Sequence, residues 1–170
     1  EFQENTNFQL AYTGSQNLIF NSLNSLATDT SLLAGASSSG IDNGPSATLL
    51  DLVLTGKIQT GTSPTVSKEI DVWAWTTLDD TPTYPDVING LDSLKSITSS
   101  NVMANAMSWV TSITNDATSN RNYPIKSISL EAIFGGFVPR YWGLWVVHNT
   151  AVNLASGVHQ FTTKKSYIVG

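Results

Sequence analysis

The feature that most constrains this chain is the run Phe134-Gly135-Gly136-Phe137-Val138-Pro139-Arg140-Tyr141-Trp142-Gly143-Leu144-Trp145-Val146-Val147-His148-Asn149-Thr150. Two adjacent glycines make a sharp turn, and the β-branched and aromatic residues after them favour a long pleated strand. The rest of the chain must supply the surface against which that strand packs. Trp142 and Trp145, three apart in a strand, point to opposite faces and so cannot form one platform.

The segments before this run read as strands. Phe8 to Tyr12 alternates apolar and polar residues, and Asn17 to Phe20 continues after the Thr13-Gly14-Ser15 turn. Residues 21–46 read as strand, loop, strand, with turns at Ser37 to Gly40 and Asp42 to Pro45. Leu50, Leu52, Leu54 and Ile58 share one parity while Asp51, Thr55, Lys57 and Gln59 share the other, which describes a strand with one wet face. Gly56 interrupts the apolar row at a bend or bulge. Glu69 to Leu78 is expected to pair with this strand as a hairpin across Gly61-Thr62-Ser63-Pro64.

In that second strand Ile70, Val72 and Ala74 face one side and Trp73 and Trp75 the other. It is either buried between layers or shows its tryptophans to another subunit. Met103 to Ile113 fits helical and strand periods alike, and the all-β context favours a strand. Ile125 to Leu130 reads as a strand that runs into a single helical turn, Glu131 to Phe134, stopped by Gly135-Gly136. Arg140 to Thr150 and Val158 to Val169 are expected to form the last hairpin. Many short strands with no fixed repeat and no βαβ alternation predict an all-β, antiparallel two-sheet sandwich of jelly-roll or Greek-key type. Residues 1–20 would form an extended N-terminal arm or first strands, and residues 21–170 a single jelly-roll domain.

Composition narrows the function. Charged residues are only 12% of the chain against about 25% in ordinary domains, and Thr, Ser and Asn replace them. A surface so poor in ions is expected to be partly covered by a partner. The net charge of −5 and the single basic pair Lys164-Lys165 argue against nucleic acid. Without cysteine there are no disulfides or thiolate sites, and no apolar run approaches the ~20 residues that span a bilayer. The chain opens at Glu1-Phe2, so its start is expected to be processed, truncated or unobserved.

Catalytic chemistry finds few parts. Across the expected final hairpin His148 and His159 would stand nearly opposite, but no third metal ligand neighbours them. Asp79, Asp80 and Asp86 share a loop with Tyr84, but lack the spacing and glycine of a Ca²⁺ loop and read as turn caps. No Gly-x-Ser-x-Gly elbow and no phosphate-binding loop is present. The sequence reads as a non-enzyme with no cofactor and no metal.

On the residues Phe134 to Thr150 the chain resembles a group of small virion proteins of tailed bacteriophages. These share the pattern Phe-Gly-Gly-Val-x-Pro-x-x-Trp-Gly, then a hydrophobic strand ending in Asn-Thr-Gly, a small-residue loop and a last strand. The resemblance runs back through Leu50 to Asp80 and Thr83-Tyr84-Pro85-Asp86, whereas residues 1–45 match only in character. Phe137 stands where Val is common, and Ala151 replaces the Gly after Asn149-Thr150. The resemblance implies a jelly-roll cement or decoration protein on the outer surface of the virion head. Such a protein would be a homotrimer bound to the major capsid protein, with no catalytic residue to carry over. Neck or tail placement and a carbohydrate- or receptor-binding module are the alternatives. Phe2, Phe8, Leu10, Tyr12, Phe20, Trp73, Trp75 and Tyr141 are the interface candidates. Removing residues 1–20 is expected to weaken particle binding and leave the domain folded.

Overall fold

The structure, a computed structural model, describes residues 9–12, 14–44, 49–77, 79 and 81–169. Their strands are β1 (Gln9–Tyr12), β2 (Gln16–Asn17), β3 (Ala34–Ser37), β4 (Ile41–Asp42), β5 (Leu49–Gln59), β6 (Glu69–Thr76), β7 (Ser93–Ser96), β8 (Met107–Thr114), β9 (Asn122–Ser129), β10 (Tyr141–His148) and β11 (Gln160–Val169). Two short helices, α1 (Ser100–Ala106) and α2 (Leu130–Ile133), and a 3₁₀ turn at Asn21–Leu23 complete the described elements.

The front sheet runs β1-β11-β5-β9, with β2 also on β11, and the back sheet runs β7-β3-β10-β6-β8, with β4 on β10. If the short β2, β4 and β7 are set aside, the chain contributes its first, eighth, third and sixth strands to one sheet and its second, seventh, fourth and fifth to the other. That interleaving is the jelly roll, an antiparallel two-sheet sandwich.

Two expected hairpins are corrected by this topology. β5 lies in the front sheet and β6 in the back; likewise β10 lies in the back sheet and β11 in the front. The reason is burial. Leu52, Leu54 and Ile58 of β5 and Ile70, Val72 and Ala74 of β6 are all sealed in one core between the sheets. Facing each other, the two apolar rows cover one another; side by side, both would need a further layer. The crossing between them is held by buried Asn115, which accepts from the Lys68 amide and donates to the Thr65 carbonyl, each at 2.9 Å.

Local readings fare better. The ladder between β5 and β9 shifts register between Leu54 and Gly56, where the bulge was expected, and a side chain at Gly56 would meet the Gln160 carbonyl. α2 stops at Gly135 and Gly136, whose φ values of 81° and 100° suit glycine. The ambiguous stretch holds both periodicities in succession. α1 is capped by Ser99, which accepts from the Val102 amide at 3.2 Å, and gives way to β8 at Met107.

A second core lies on the outer face of the back sheet. Trp75, Trp145 and Val147 project outward there and are roofed by the excursion between β6 and β8, through Ile88, Ile97, Met103 and partly buried Tyr84. Each large ring lies over a glycine: a side chain at Gly143 would overlap Trp75, and one at Gly35 would overlap Trp145. Trp142 points into the core between the sheets and Trp145 into this second one, the opposite orientations that their spacing requires.

Residues 9–12 and 14–20 belong to the sandwich. β1 and β2 pair antiparallel with β11, Leu18 and Phe20 are buried, and the Phe20 ring lies 5.5 Å from that of Phe161. Cutting away residues 1–20 would therefore remove core side chains, so the expectation that this deletion leaves the domain folded is withdrawn.

Candidate interaction surface

The structure divides the interface candidates. Phe2 and Phe8 lie outside the described residues. Phe20 and Trp75 are sealed inside the chain, the latter with the Tyr84 ring edge-on at 5.7 Å and its indole N–H donated to the Leu144 carbonyl. Neither is presented to a partner. Tyr141 is half-buried with the Arg140 guanidinium over its ring. Leu10 and Tyr12, on the edge strand β1, are 55% and 70% exposed. Opposite them in register stand Ile168 and Ser166 of β11.

Trp109, which sequence reasoning did not single out, adds to the aromatic surface, as does Phe137, exposed between α2 and β10. In the back sheet Trp145 is opposite Trp73 and Trp73 is opposite Trp109, so three indoles form one row across β10, β6 and β8. Along that row burial falls from complete at Trp145, through partial at Trp73, to 54% exposure at Trp109 on the open edge. The Trp73 indole N–H is buried without a hydrogen-bond partner among the described residues. The signal was available in the alternation of Met107 with Trp109, but the competing helical period hid which face Trp109 takes. Toward Met107, two residues along β8 from Trp109, lies a groove of 390 Å³ lined by Thr76, Tyr84, Pro85, Asn105 and Met107 among others, with no charged side chain among its described lining.

The polar groups with chemical potential are engaged within the fold. His148 and His159 do not face each other across a hairpin; His148 is opposite Ile70 in the back sheet, and His159 precedes β11. Burial pushes both imidazoles below the usual 6.5. Asp79 takes the amide and hydroxyl of Thr83, and Asp86 those of Thr98. The Thr98 hydroxyl, followed by its amide, holds the Asp86 carboxyl below its ordinary value. Both aspartates act as turn caps, while Asp80 lies outside the described residues. Among the described residues no three His, Cys, Asp or Glu side chains come together as a metal set, and no helix is long and apolar enough to cross a membrane.

Comparison with protein-family models, curated proteins and solved structures finds no significant match. The class is therefore defined by the strand order itself: an all-β jelly-roll sandwich that carries aromatic side chains at its edges.

Proposed function

We propose that this protein is a structural component of a tailed-bacteriophage virion, a non-catalytic cement or decoration protein. In this reading it docks on the outside of the head as a homotrimer and stabilises the shell by bridging major capsid subunits. The observation that carries the reading is the position of two exposed aromatics, Tyr12 and Trp109. Tyr12 is on β1, at one flank of the front sheet, and Trp109 is on β8, which adjoins β9 at the other flank. A bridging protein needs at least two anchored surfaces, and Tyr and Trp are the side chains that most often carry interface energy. A stable contact buries about 1,200 to 2,000 Å² in total, an area that the flanks of a sandwich of this size can share between neighbours. The low charge and the resemblance of Phe134 to Thr150 to small phage virion proteins support the same reading.

The test is to add the purified chain to bare heads and measure copies bound. Saturation in fixed ratio to the major capsid protein supports the head; a few copies at one vertex support a neck or tail position. A second reading, a carbohydrate- or receptor-binding module, is favoured by the Trp73–Trp109 pair and the uncharged groove toward Met107, because sugar rings stack on indoles. A glycan array separates it from the first: specific retention of a neutral glycan, lost in Trp109→Ser, would favour it.

A further inference from the structure

The loop from Asn149 to His159, which joins β10 to β11, is fastened by two histidines whose bonds respond to a proton in opposite ways. The backbone N–H of Gln59 donates to His159 Nδ1 at 3.3 Å, and His159 Nε2 lies 2.8 Å from the Ala155 carbonyl. A carbonyl only accepts, so the ring carries its hydrogen on Nε2 and holds Gln59 with the Nδ1 lone pair. A proton on Nδ1 would set one N–H against another and destroy that bond. His148 differs. Its Nε2 donates to the Leu26 carbonyl at 3.0 Å, and its Nδ1 lies 3.0 Å from the Thr150 hydroxyl, which is also 3.0 Å from the Val152 carbonyl. One hydroxyl hydrogen cannot serve both Nδ1 and Val152. Protonated His148 donates to Thr150 and frees that hydrogen for Val152, so it gains a partner where His159 loses one.

The surroundings sharpen the contrast. Asp29, whose amide donates to the His148 carbonyl, places a carboxylate near His148 and favours its charged form. The groove around His159 is lined from the N-terminal side by Leu18, Phe20, Asn21 and Asn24, none of them charged, and from β5 by Lys57. The other titratable neighbour is His148 itself, and the Asp92 carboxylate on the far side of Asn21 is engaged by the Asn21 and Ser22 amides, so among the described residues lining the groove an imidazolium at position 159 meets like charge. The end of the loop near β10 is held separately, by Asn149 on Glu69, Thr150 on the Thr65 amide and Ala151 on the Thr28 hydroxyl. At the His159 end Leu154 donates to the Leu26 carbonyl and Ala155 to the Gln59 carbonyl, the Ala155 carbonyl also accepts from the Ser25 amide, and Asn24 takes the Gly157 amide. Leu154 of the loop is buried, as are Leu18 and Phe161, which line the same groove as His159.

We propose that this loop is an acid-released latch with His159 as its trigger: a proton taken from solvent onto Nδ1 breaks the bond to Gln59, turns the imidazole out and uncovers Leu154, Leu18 and Phe161. Because burial lowers both imidazoles, the unfolded chain binds more protons than the folded one between the depressed values and 6.5. Stability is therefore full above that window and falls as pH drops through it. The carboxylates held below 3.8, Asp29, Asp42 and Asp86, release their contribution only at lower pH.

The experiment is amide hydrogen exchange of the intact chain at about pH 7.5 and about pH 5, corrected for intrinsic exchange, read at Gln59, Leu154 and Ala155. Protection should fall about tenfold or more in the wild type, the equivalent of one pKa unit. It should fall clearly less in His159→Gln, which keeps only the His148 share and whose side-chain amide can accept from Gln59 and donate to Ala155 at any pH. Level protection in the wild type, or an equal fall in the variant, overturns the latch. If the variant does not fold, the wild-type Gln59 amide shift must titrate with the midpoint of the His159 ring; a flat Gln59 amide while His159 titrates overturns it equally.

Discussion

The two outer faces of this sandwich are built differently. On the front sheet Thr55 and Thr162 join hydroxyls across β5 and β11 at 2.8 Å, between Lys57 and Lys164, and the described chain lays no second layer over them. On the back sheet Trp75, Trp145 and Val147 carry a second core, roofed by the chain's own excursion between β6 and β8. The difference teaches that apolar residues on both faces of a strand report a second layer, and that here the layer is internal. Among the described residues the exposed aromatics lie off that second core, Tyr12 on β1, Trp109 on β8 and Phe137 between α2 and β10, with Leu10, Ile19, Leu91 and Leu94 among the exposed aliphatics.

The strongest way to break this contrast is Trp75→Ala. Removing a fully buried indole should cost about 3 to 5 kcal/mol in denaturant unfolding. Amide protection should fall first in residues 84–106, the roof, before the core between the sheets is affected. If protection falls evenly across both sheets, the second core is not a separate layer. Trp109→Ser should sharpen the contrast at the edge. Affinity for bare heads should drop about 30-fold or more, as expected of an interface anchor, while the unfolding midpoint shifts by no more than about 0.5 kcal/mol. Gly143→Ala, which pushes a methyl group into the Trp75 ring, should cost about 1 to 3 kcal/mol by the same assay. On the front face, Thr55→Val combined with Thr162→Val removes both hydroxyls of a half-buried pair together, leaving neither unpaired, and should change stability by less than about 0.5 kcal/mol.

Much of the fold was legible because local patterns report faces. The parity of Leu52, Leu54 and Ile58, the bulge at Gly56, the opposed Trp142 and Trp145 and the Gly135-Gly136 stop all follow from spacing and backbone freedom. Partnership between strands was not legible. Sequence neighbours usually pair, but β5 with β6 and β10 with β11 cross between sheets, because both members of the first pair present apolar rows to the same core. Which aromatics stay exposed was legible only in part. Trp75 and Phe20 are internal, since neither an excursion that roofs one nor a ring that packs on the other leaves a short-range signal, and Trp109 was hidden by two competing periods. One departure from the virion-protein pattern did carry structural information. Ala151, standing where the pattern has Gly, has a φ of 67°, so Ala151→Gly should stabilise the loop by about 0.5 to 1 kcal/mol, measured by thermal or denaturant unfolding.

The most direct test of the central claim, that exposed aromatics on two flanks anchor this sandwich to a shell, is titration of the intact chain against bare heads beside a Tyr12→Ser, Trp109→Ser double variant. The account predicts saturable binding in fixed ratio to the major capsid protein for the wild type, and its loss in a double variant that unfolds at the same denaturant concentration. A wild-type chain that remains a free monomer with no affinity for any shell, or a double variant that binds as well as the wild type, would contradict it.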